Sequence, residues 1–215
     1  MSLFRLKLPL LVSALAFAGA THATTTLISE GFDNDSSTLA GKGWVIDNQS
    51  TPGGSSTWFE PGEGAILPAY SGSSYMAANY MSAADHGSVD NWLITPTFST
   101  AVAGWVTLYL RSEQLDPYVD TLKFGFSDGS TTTSDFSMGA TLTAPGDWTA
   151  YTFAYAAGGA GSVGRFAIEY TGDGDTLDYV GVDSVSINAV PEPATWAMFG
   201  LGAAALVARR RRSAR

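Results

Sequence analysis

Acidic residues stand among apolar ones in the segments that open and close the middle of the chain. Glu30 alternates with Ile28 and Phe32, so its carboxylate shares a strand face with apolar side chains. Asp183 alternates with Val185 in the same way. A carboxylate on a core-facing position is costly unless it is paired, protonated or bound to a metal. These two acids are therefore the first candidates for a functional site.

Calcium is the metal that suits such carboxylates, because it takes several oxygen ligands in irregular geometry. If the first and last strands are neighbours, the two acids converge, and further acids complete the site. The alternative is that one acid caps a loop and the other faces solvent. The predicted ligands of a structural Ca²⁺ are Glu30, Asp33, Asp90 and Asp183.

The run Asp85-His86-Gly87-Ser88 places an acid, a base and a hydroxyl side by side. Catalytic triads converge from separate parts of a fold, whereas adjacent side chains in a loop point apart. His86 is the only histidine in residues 24–190, and zinc sites usually need two or three. No catalytic residue is predicted, and we do not expect an enzyme. Two carboxylates would suffice for glycan hydrolysis, which keeps a secreted glycan hydrolase as the alternative.

Tryptophan is frequent, and one tryptophan stands out by its surroundings. Trp58 precedes Phe59 in a region rich in glycine, serine and proline, where an aromatic face could stack on a sugar ring. Large aromatic side chains of a β-sandwich mostly lie in the core, as we expect of Trp92 and Trp105. Trp58 is therefore the predicted ligand-stacking residue.

Residues 24–190 are strongly acidic. Their only basic residues are Lys42, Arg111, Lys123 and Arg165, against 19 acidic ones, which gives a net charge of −15. Nucleic acids and anionic lipids are held mainly through lysine and arginine, so no nucleic acid is an expected partner. The chain has no cysteine, which excludes disulfides, thiol catalysis and thiolate metal sites.

Apolar residues alternate with polar ones along several short segments. Val106, Leu108 and Leu110 share one face of a predicted strand, and other segments repeat this period of two. Clusters of glycine, proline, serine and aspartate separate them, and no helix is predicted in residues 24–188. About ten short strands with turns between them indicate an all-β fold, a jelly-roll β-sandwich.

The N-terminus has the parts of a secretory signal peptide. Arg5 and Lys7 are basic, residues 8–18 are apolar, and small residues precede cleavage after Ala20 or Ala23. The apolar run is short for a membrane span, which favours removal. The predicted division of the chain is a signal peptide helix at 1–23, the jelly-roll domain at 24–188 and a tail at 189–215.

The tail combines three features in order. The motif Pro191, Glu192, Pro193 precedes an uncharged apolar run at 194–208, and a basic cluster follows. The 15-residue run would form a helix of about 22 Å, a marginal transmembrane helix for a hydrocarbon core of about 30 Å. The positive-inside rule keeps the basic end cytoplasmic. The membrane-stop cluster consists of Arg209, Arg210, Arg211 and Arg212.

This order of motif, hydrophobic stretch and arginine cluster resembles the PEP-CTERM sorting signal. The resemblance implies that an exosortase, a membrane protease, recognises and processes the tail, so the chain is its substrate. It also implies export, a transient stage anchored in the inner membrane, and a final place at the cell surface or outside the cell.

Three segments mark the opening, middle and close of the domain. Residues 29–33 read Ser-Glu-Gly-Phe-Asp, residues 90–96 read Asp-Asn-Trp-Leu-Ile-Thr-Pro, and residues 182–187 read Val-Asp-Ser-Val-Ser-Ile. Together they resemble the choice-of-anchor J group, which is related to cleaved-adhesin and MAM-type domains. The resemblance implies a jelly roll, a role in adhesion or carbohydrate contact, and no shared enzymatic reaction. Related families often hold a structural calcium near these positions.

The combined prediction is an exported surface or matrix protein with a non-catalytic module for adhesion or carbohydrate binding. Its expected partners are the sorting protease, the inner membrane and extracellular polysaccharide, as in a biofilm matrix. A third possibility stands beside binding and hydrolysis. In that case the domain only displays the sorting tail and has no ligand of its own.

Overall fold

The computed structural model describes residues 24–33, 38–62 and 64–190. Within them the chain forms two packed antiparallel sheets, which confirms the predicted all-β jelly-roll sandwich. The helices of the described residues are short 3-10 turns, and none of them is long and apolar enough to cross a membrane. The predicted signal peptide helix and transmembrane helix lie outside the described residues.

Thirteen strands follow one another along this part of the chain, several of them only two to four residues long. They are β1 (Thr25–Glu30), β2 (Val45–Asn48), β3 (Thr51–Gly53), β4 (Met76–Asn79), β5 (Ala83–Ile94), β6 (Phe98–Ser99), β7 (Gly104–Ser112), β8 (Thr121–Ser127), β9 (Ser137–Met138), β10 (Leu142–Thr143), β11 (Thr149–Tyr155), β12 (Val163–Asp173) and β13 (Tyr179–Ala189).

The strands divide between a small and a large sheet. The small sheet has the order β1-β13-β7-β11, and β4 also pairs with β13. The large sheet has the order β10-β8-β12-β5-β2, with β3 paired to β5, β6 to β12 and β9 to β8. The first and last strands are neighbours, which meets the first condition for the two acids to converge, and Glu30 lies opposite Val185.

The main core lies between the sheets and follows the period of two. Val106, Leu108 and Leu110 of β7 are fully buried, in one cluster with Phe166 and Ile168 of β12. Fully burying one such side chain stabilises the fold by about 1.5–3 kcal/mol. The strands and this core all belong to one compact unit, so the segment from residue 24 to residue 190 has what a domain needs to fold alone.

A smaller apolar cluster covers part of the outer face of the small sheet. The loop between β3 and β4 crosses that face, and Phe59 exchanges two backbone hydrogen bonds with Ala77 of β4. Leu67 from the loop is buried in this cluster with Tyr75 and Tyr179. The loop therefore belongs to the packed structure and can position side chains on the sheet face beside it.

Candidate functional site

Asp183 lies on the outer face of the small sheet and not in the core. Val182 faces the core before it, and Val185 faces the core after it. The alternation changes sides because β13 has a bulge between Asp183 and Ser186, where Ser184 adopts a φ of 51°. The bulge adds a residue to the strand, so Asp183 points away from the apolar side chains that follow it.

Glu30 and Asp183 therefore do not converge, contrary to the sequence-based expectation. Residues that lie opposite each other in an antiparallel pair share a face of the sheet. Glu30 pairs with Val185, which is a core residue, whereas Asp183 pairs with Tyr109 on the outer face. The period of two places both acids on one face only if the last strand is regular, and the bulge removes that condition.

Asp183 holds the end of the β3–β4 loop against the sheet. Its side chain is fully buried, and its Oδ2 accepts hydrogen bonds from the backbone N–H groups of Tyr70 at 2.9 Å and Ser71 at 3.0 Å. The Ser184 hydroxyl donates to Oδ1 at 3.2 Å. Burial raises the pKa of Asp183 above its ordinary value, and these hydrogen bonds oppose the rise. The carboxylate is an anchor for the loop.

Asp33 holds the same loop a few residues further on. Its Oδ1 accepts hydrogen bonds from the backbone N–H groups of Ser73 at 2.6 Å and Ser74 at 3.3 Å. The hydrogen bond from Ser73 lowers the pKa of Asp33. Gly72, with a φ of 66°, lies against this carboxylate, where a Cβ would overlap it. Asp33 and Asp183 thus bracket residues 70–74 from two sides.

The other two predicted calcium ligands have different partners. The Oε1 of Glu30 accepts a hydrogen bond from the backbone of Phe32 at 3.0 Å, and its Oε2 forms an ion pair with Lys42 at 2.8 Å. Asp90 lies on β5 in the large sheet, where its carboxylate accepts the indole N–H of Trp92. Each acid is satisfied by the protein itself.

No three histidine or acidic side chains among the described residues lie close enough together to hold a metal ion. Glu30 and Asp183 lie on opposite faces of the small sheet, Asp33 lies in the loop after β1, and Asp90 lies in the large sheet. Their hydrogen-bond and ion-pair partners are backbone N–H groups, serine hydroxyls, a lysine and an indole, all of which complement a carboxylate without a cation. As placed, the four carboxylates do not form one calcium site, and calcium binding stays a prediction.

Thermal unfolding of the domain Thr24–Val190 tests the calcium prediction. A calcium site formed by these acids requires that saturating calcium raise the Tm, because a ligand that binds only the native state stabilises it by mass action. The substitution Asp183→Ala should then abolish the rise. Equal Tm values in calcium and in chelator for the unsubstituted domain would contradict the site.

The loop held by the two acids carries an aromatic group onto the sheet face. Tyr70 stacks on Tyr109 of β7 with ring centroids 3.5 Å apart and an interplanar angle of 16°. Trp148 meets Tyr70 edge-on at 6.3 Å and donates its indole N–H to the carbonyl oxygen of Pro68 at 2.9 Å. Tyr70 is 43% exposed. We call Tyr70, Tyr109 and Trp148 the aromatic platform.

Polar side chains continue the sheet face beyond the platform. Thr107 of β7 and Thr152 of β11 lie 3.2 Å apart through their hydroxyls. Thr26 of β1 donates to the side-chain oxygen of Asn188 at 2.9 Å. Trp105 of β7 is half-buried opposite Asn188 of β13 on this outer face, and not in the core as expected. The outer face therefore offers the aromatic platform at one end, Trp105 at the other, and hydroxyl and amide groups between and beside them.

Trp58 does not provide the predicted stacking surface. Its side chain is 1% exposed in the main core, and its indole N–H donates to the carbonyl oxygen of Asn91 at 3.0 Å. The bridge between Phe59 and Ala77 fixes the loop so that Trp58 enters the sandwich while Phe59 packs on the outer cluster. The glycine and proline residues around Trp58 mark a loop, but the loop itself is packed.

The sequence-based search missed both stacked tyrosines. Tyr109 alternates with the buried residues of β7, so its outward position follows from the period of two. Nothing near Tyr70 in the sequence indicates that the loop folds back across the sheet. The pairing of Asp183 with the backbone of Tyr70 joins residues 113 positions apart.

A comparison with known proteins bears first on the tail. Residues 189–212 match the family described as the PEP-CTERM protein-sorting motif. This stretch contains Pro191, Glu192, Pro193 and the arginines at 209–212, all of which lie outside the described residues. The chain is thus an exported surface protein with a transient membrane anchor, as predicted. No curated protein matches the chain.

The sandwich resembles solved structures of cleaved adhesin domains. The K3 domain of Lys-gingipain from Porphyromonas gingivalis has a TM-score of 0.62 and 17% identity, covering 77% of this chain and 99% of its own. The K1 domain of the same protein has a TM-score of 0.61 and 20% identity, covering 78% and 99%. The likeness is one of fold, and it confirms the cleaved-adhesin type of jelly roll predicted from the sequence.

Proposed function

We propose that the sandwich is a non-catalytic adhesion module that binds extracellular polysaccharide through its aromatic platform. The observation that supports this proposal is the stack of Tyr70 on Tyr109 at the exposed face of the small sheet. Sugar rings have apolar faces that pack on aromatic rings, and aromatic side chains with a polar end are enriched at such contact surfaces. Asp33 and Asp183 hold this arrangement in place through their hydrogen bonds to the loop, before any ligand binds.

The shape of the face favours a polymer over a single sugar. Tyr109 and Trp105 are four residues apart on β7, or about 13 Å at 3.3 Å per residue. The hydroxyl groups of Thr107 and Thr152 lie between these two positions in the sheet. Successive sugar units along this strip would find aromatic contact at its ends and hydrogen-bonding groups in its middle.

The proposed ligand is a neutral polysaccharide, because the domain is strongly acidic. The net charge of −15 over residues 24–190 repels polymers that carry carboxylates. In the proposed sequence of events, an exosortase-type protease processes the tail in the inner membrane. The module then acts at the cell surface or in the extracellular matrix.

Binding of Thr24–Val190 to an array of neutral polysaccharides tests the proposal. Tyr70→Ala should weaken the Kd for the bound polymer by about 10-fold or more, since an aromatic anchor at a contact surface contributes at least about 1.4 kcal/mol. Tyr118→Ala is the matched control, because Tyr118 is similarly exposed at 39% on a different loop. It should leave the Kd unchanged.

Three other outcomes would contradict the proposal. Equal weakening by both tyrosine substitutions would show that the platform is not the binding surface. Absence of binding to every polymer at high protein concentration would favour a domain that only displays the sorting tail. Release of reducing sugar would favour the glycan hydrolase.

A further inference from the structure

A cleft opens at one end of the sandwich. It shares no residue with the aromatic platform and is a second candidate site. Its volume is about 390 Å³. The start of β5 forms one wall, the 3-10 turn at Tyr80–Ser82 forms another, and the turn after β12 closes the third side. Its lining includes the side chains of Tyr80, Met81, Asp85, His86 and Asp175.

The backbone of β5 is shaped to present polar side chains to this cleft. Asp85 and His86 both adopt left-handed conformations, with φ values of 42° and 59°. Gly87 follows them in a place where a Cβ would lie 2.6 Å from the carbonyl oxygen of Thr51. The carbonyl oxygen of Gly87 accepts the N–H of Gly174 at 2.8 Å. Close contacts with Thr51 on one side and with Gly174 on the other thus fix the irregular backbone at residues 85–87.

A histidine–carboxylate pair lies at the edge of the cleft. The Nδ1 of His86 and the Oδ1 of Asp175 are 2.5 Å apart, and both side chains are exposed. The hydrogen bond with Asp175, and then the charges of Asp175, Asp85 and Asp173, raise the pKa of His86. No lysine or arginine is among the described residues that line the cleft. The cleft therefore favours groups that donate hydrogen bonds and disfavours anions.

An apolar surface stands next to these polar groups. Tyr80 is 47% exposed and Met81 is 42% exposed, so both present apolar surface to the solvent. A concave site with an aromatic wall and a few converging polar groups is the usual form of a small-ligand site. Sugar rings match both parts, with an apolar face for Tyr80 and hydroxyls for the carboxylates.

We propose that this cleft is a second saccharide site, which takes neutral or amino sugars and rejects sugars that carry carboxylates. The choice of a saccharide rests on the proposed function, whereas the charge preference rests on the cleft itself. With the platform on the sheet face and the cleft at the end of the sandwich, one domain offers two sites to a single glycan polymer. Two linked sites raise the avidity for a polymer far above the affinity of either site.

The single histidine of Thr24–Val190 makes the cleft directly observable by NMR. The probes are glucosamine oligomers, cello-oligosaccharides and oligogalacturonate as the anionic control. We expect the His86 ring resonances to shift and saturate with the first two and to stay unchanged with the third. Tyr80→Ala should weaken the response by at least about 10-fold. Tyr70→Ala, which damages only the platform, should leave the response unchanged.

The outcomes separate the cleft from the platform. Unchanged His86 resonances with all three probes would overturn the cleft proposal, whatever the platform binds. A shift that Tyr70→Ala abolishes would also overturn it, because the response would then come from the platform. Saturable binding at His86 with no effect of Tyr70→Ala on polymer affinity would support the cleft and contradict the platform.

A pH titration of the same resonances checks the geometry on which the site depends. The pKa of His86 should lie above its ordinary value of 6.5, and Asp175→Asn should bring it down towards that value. Because the folded-state pKa is raised, the contribution of this pair to stability is present below pH 6.5 and is lost as the pH rises through the folded value. Equal pKa values in the two proteins would contradict the pairing.

Discussion

Replacing Trp58 with alanine should lower the free energy of unfolding by about 3–5 kcal/mol, the usual cost of deleting a buried large aromatic side chain. Trp58 is 1% exposed, and its removal leaves a cavity in the core and takes one hydrogen bond from the carbonyl oxygen of Asn91. Urea unfolding of Thr24–Val190, followed by tyrosine fluorescence or circular dichroism, measures the change. In a domain of ordinary stability, this loss is a large part of the total free energy of unfolding.

Trp105→Ala is the matched control for this effect. Trp105 lies on the outer face of β7 and is only half-buried, so its substitution should cost much less. A surface role for Trp58, as the sequence suggested, requires the opposite result. In that case Trp58→Ala would leave stability within about 0.5 kcal/mol and weaken glycan binding.

Asp183→Ala should lower the free energy of unfolding by about 2–4 kcal/mol and loosen the aromatic platform. The substitution removes the acceptor of two backbone N–H groups that are held against the sheet, those of Tyr70 and Ser71. An unsatisfied buried donor costs about 1–3 kcal/mol, and the lost side chain adds a small cavity. Polymer binding should weaken together with stability, because the loop that carries Tyr70 loses its anchor.

Asp183→Asn separates the charge of this residue from its hydrogen bonds. Burial raises the pKa of Asp183 in the folded state, so its carboxyl group binds a proton more tightly in the native protein than in the unfolded chain. The contribution of Asp183 to stability therefore falls as the pH rises from its ordinary pKa of 3.8 through the raised folded value. The asparagine variant should lack that fall while it keeps one oxygen acceptor. Parallel pH profiles in the two proteins would contradict this account.

The fold class could be derived from the sequence because its signal is local. Buried and exposed residues alternate along β7 as the period of two requires, with Val106, Leu108 and Leu110 in the core. To predict a strand, only this short pattern and the turn formers at its ends are needed, and both can be read from the sequence without knowledge of the partner strand. The sorting motif is local in the same sense, since its motif, apolar run and arginines follow one another directly.

The platform could not be derived, because it depends on contacts between residues that are distant in the chain. Tyr70 reaches Tyr109 only after the β3–β4 loop folds back over the small sheet. The sequence identified Asp183 as a costly acid, which is correct, but assigned it to a metal. The structure instead gives it two backbone N–H groups of the loop. Backbone donors carry no residue-specific signal, so this partner is invisible in the sequence.

The sequence by itself determined the export of this protein, its sorting tail, its all-β sandwich and the alternation that fills the core. Tertiary structure alone decided which face each acid takes and where the aromatic rings lie. The bulge at Ser184 turns Asp183 outward, and the bridge between Phe59 and Ala77 turns Trp58 inward. A single residue added to a strand reverses the facing of everything after it, and only the paired strands show where that residue falls.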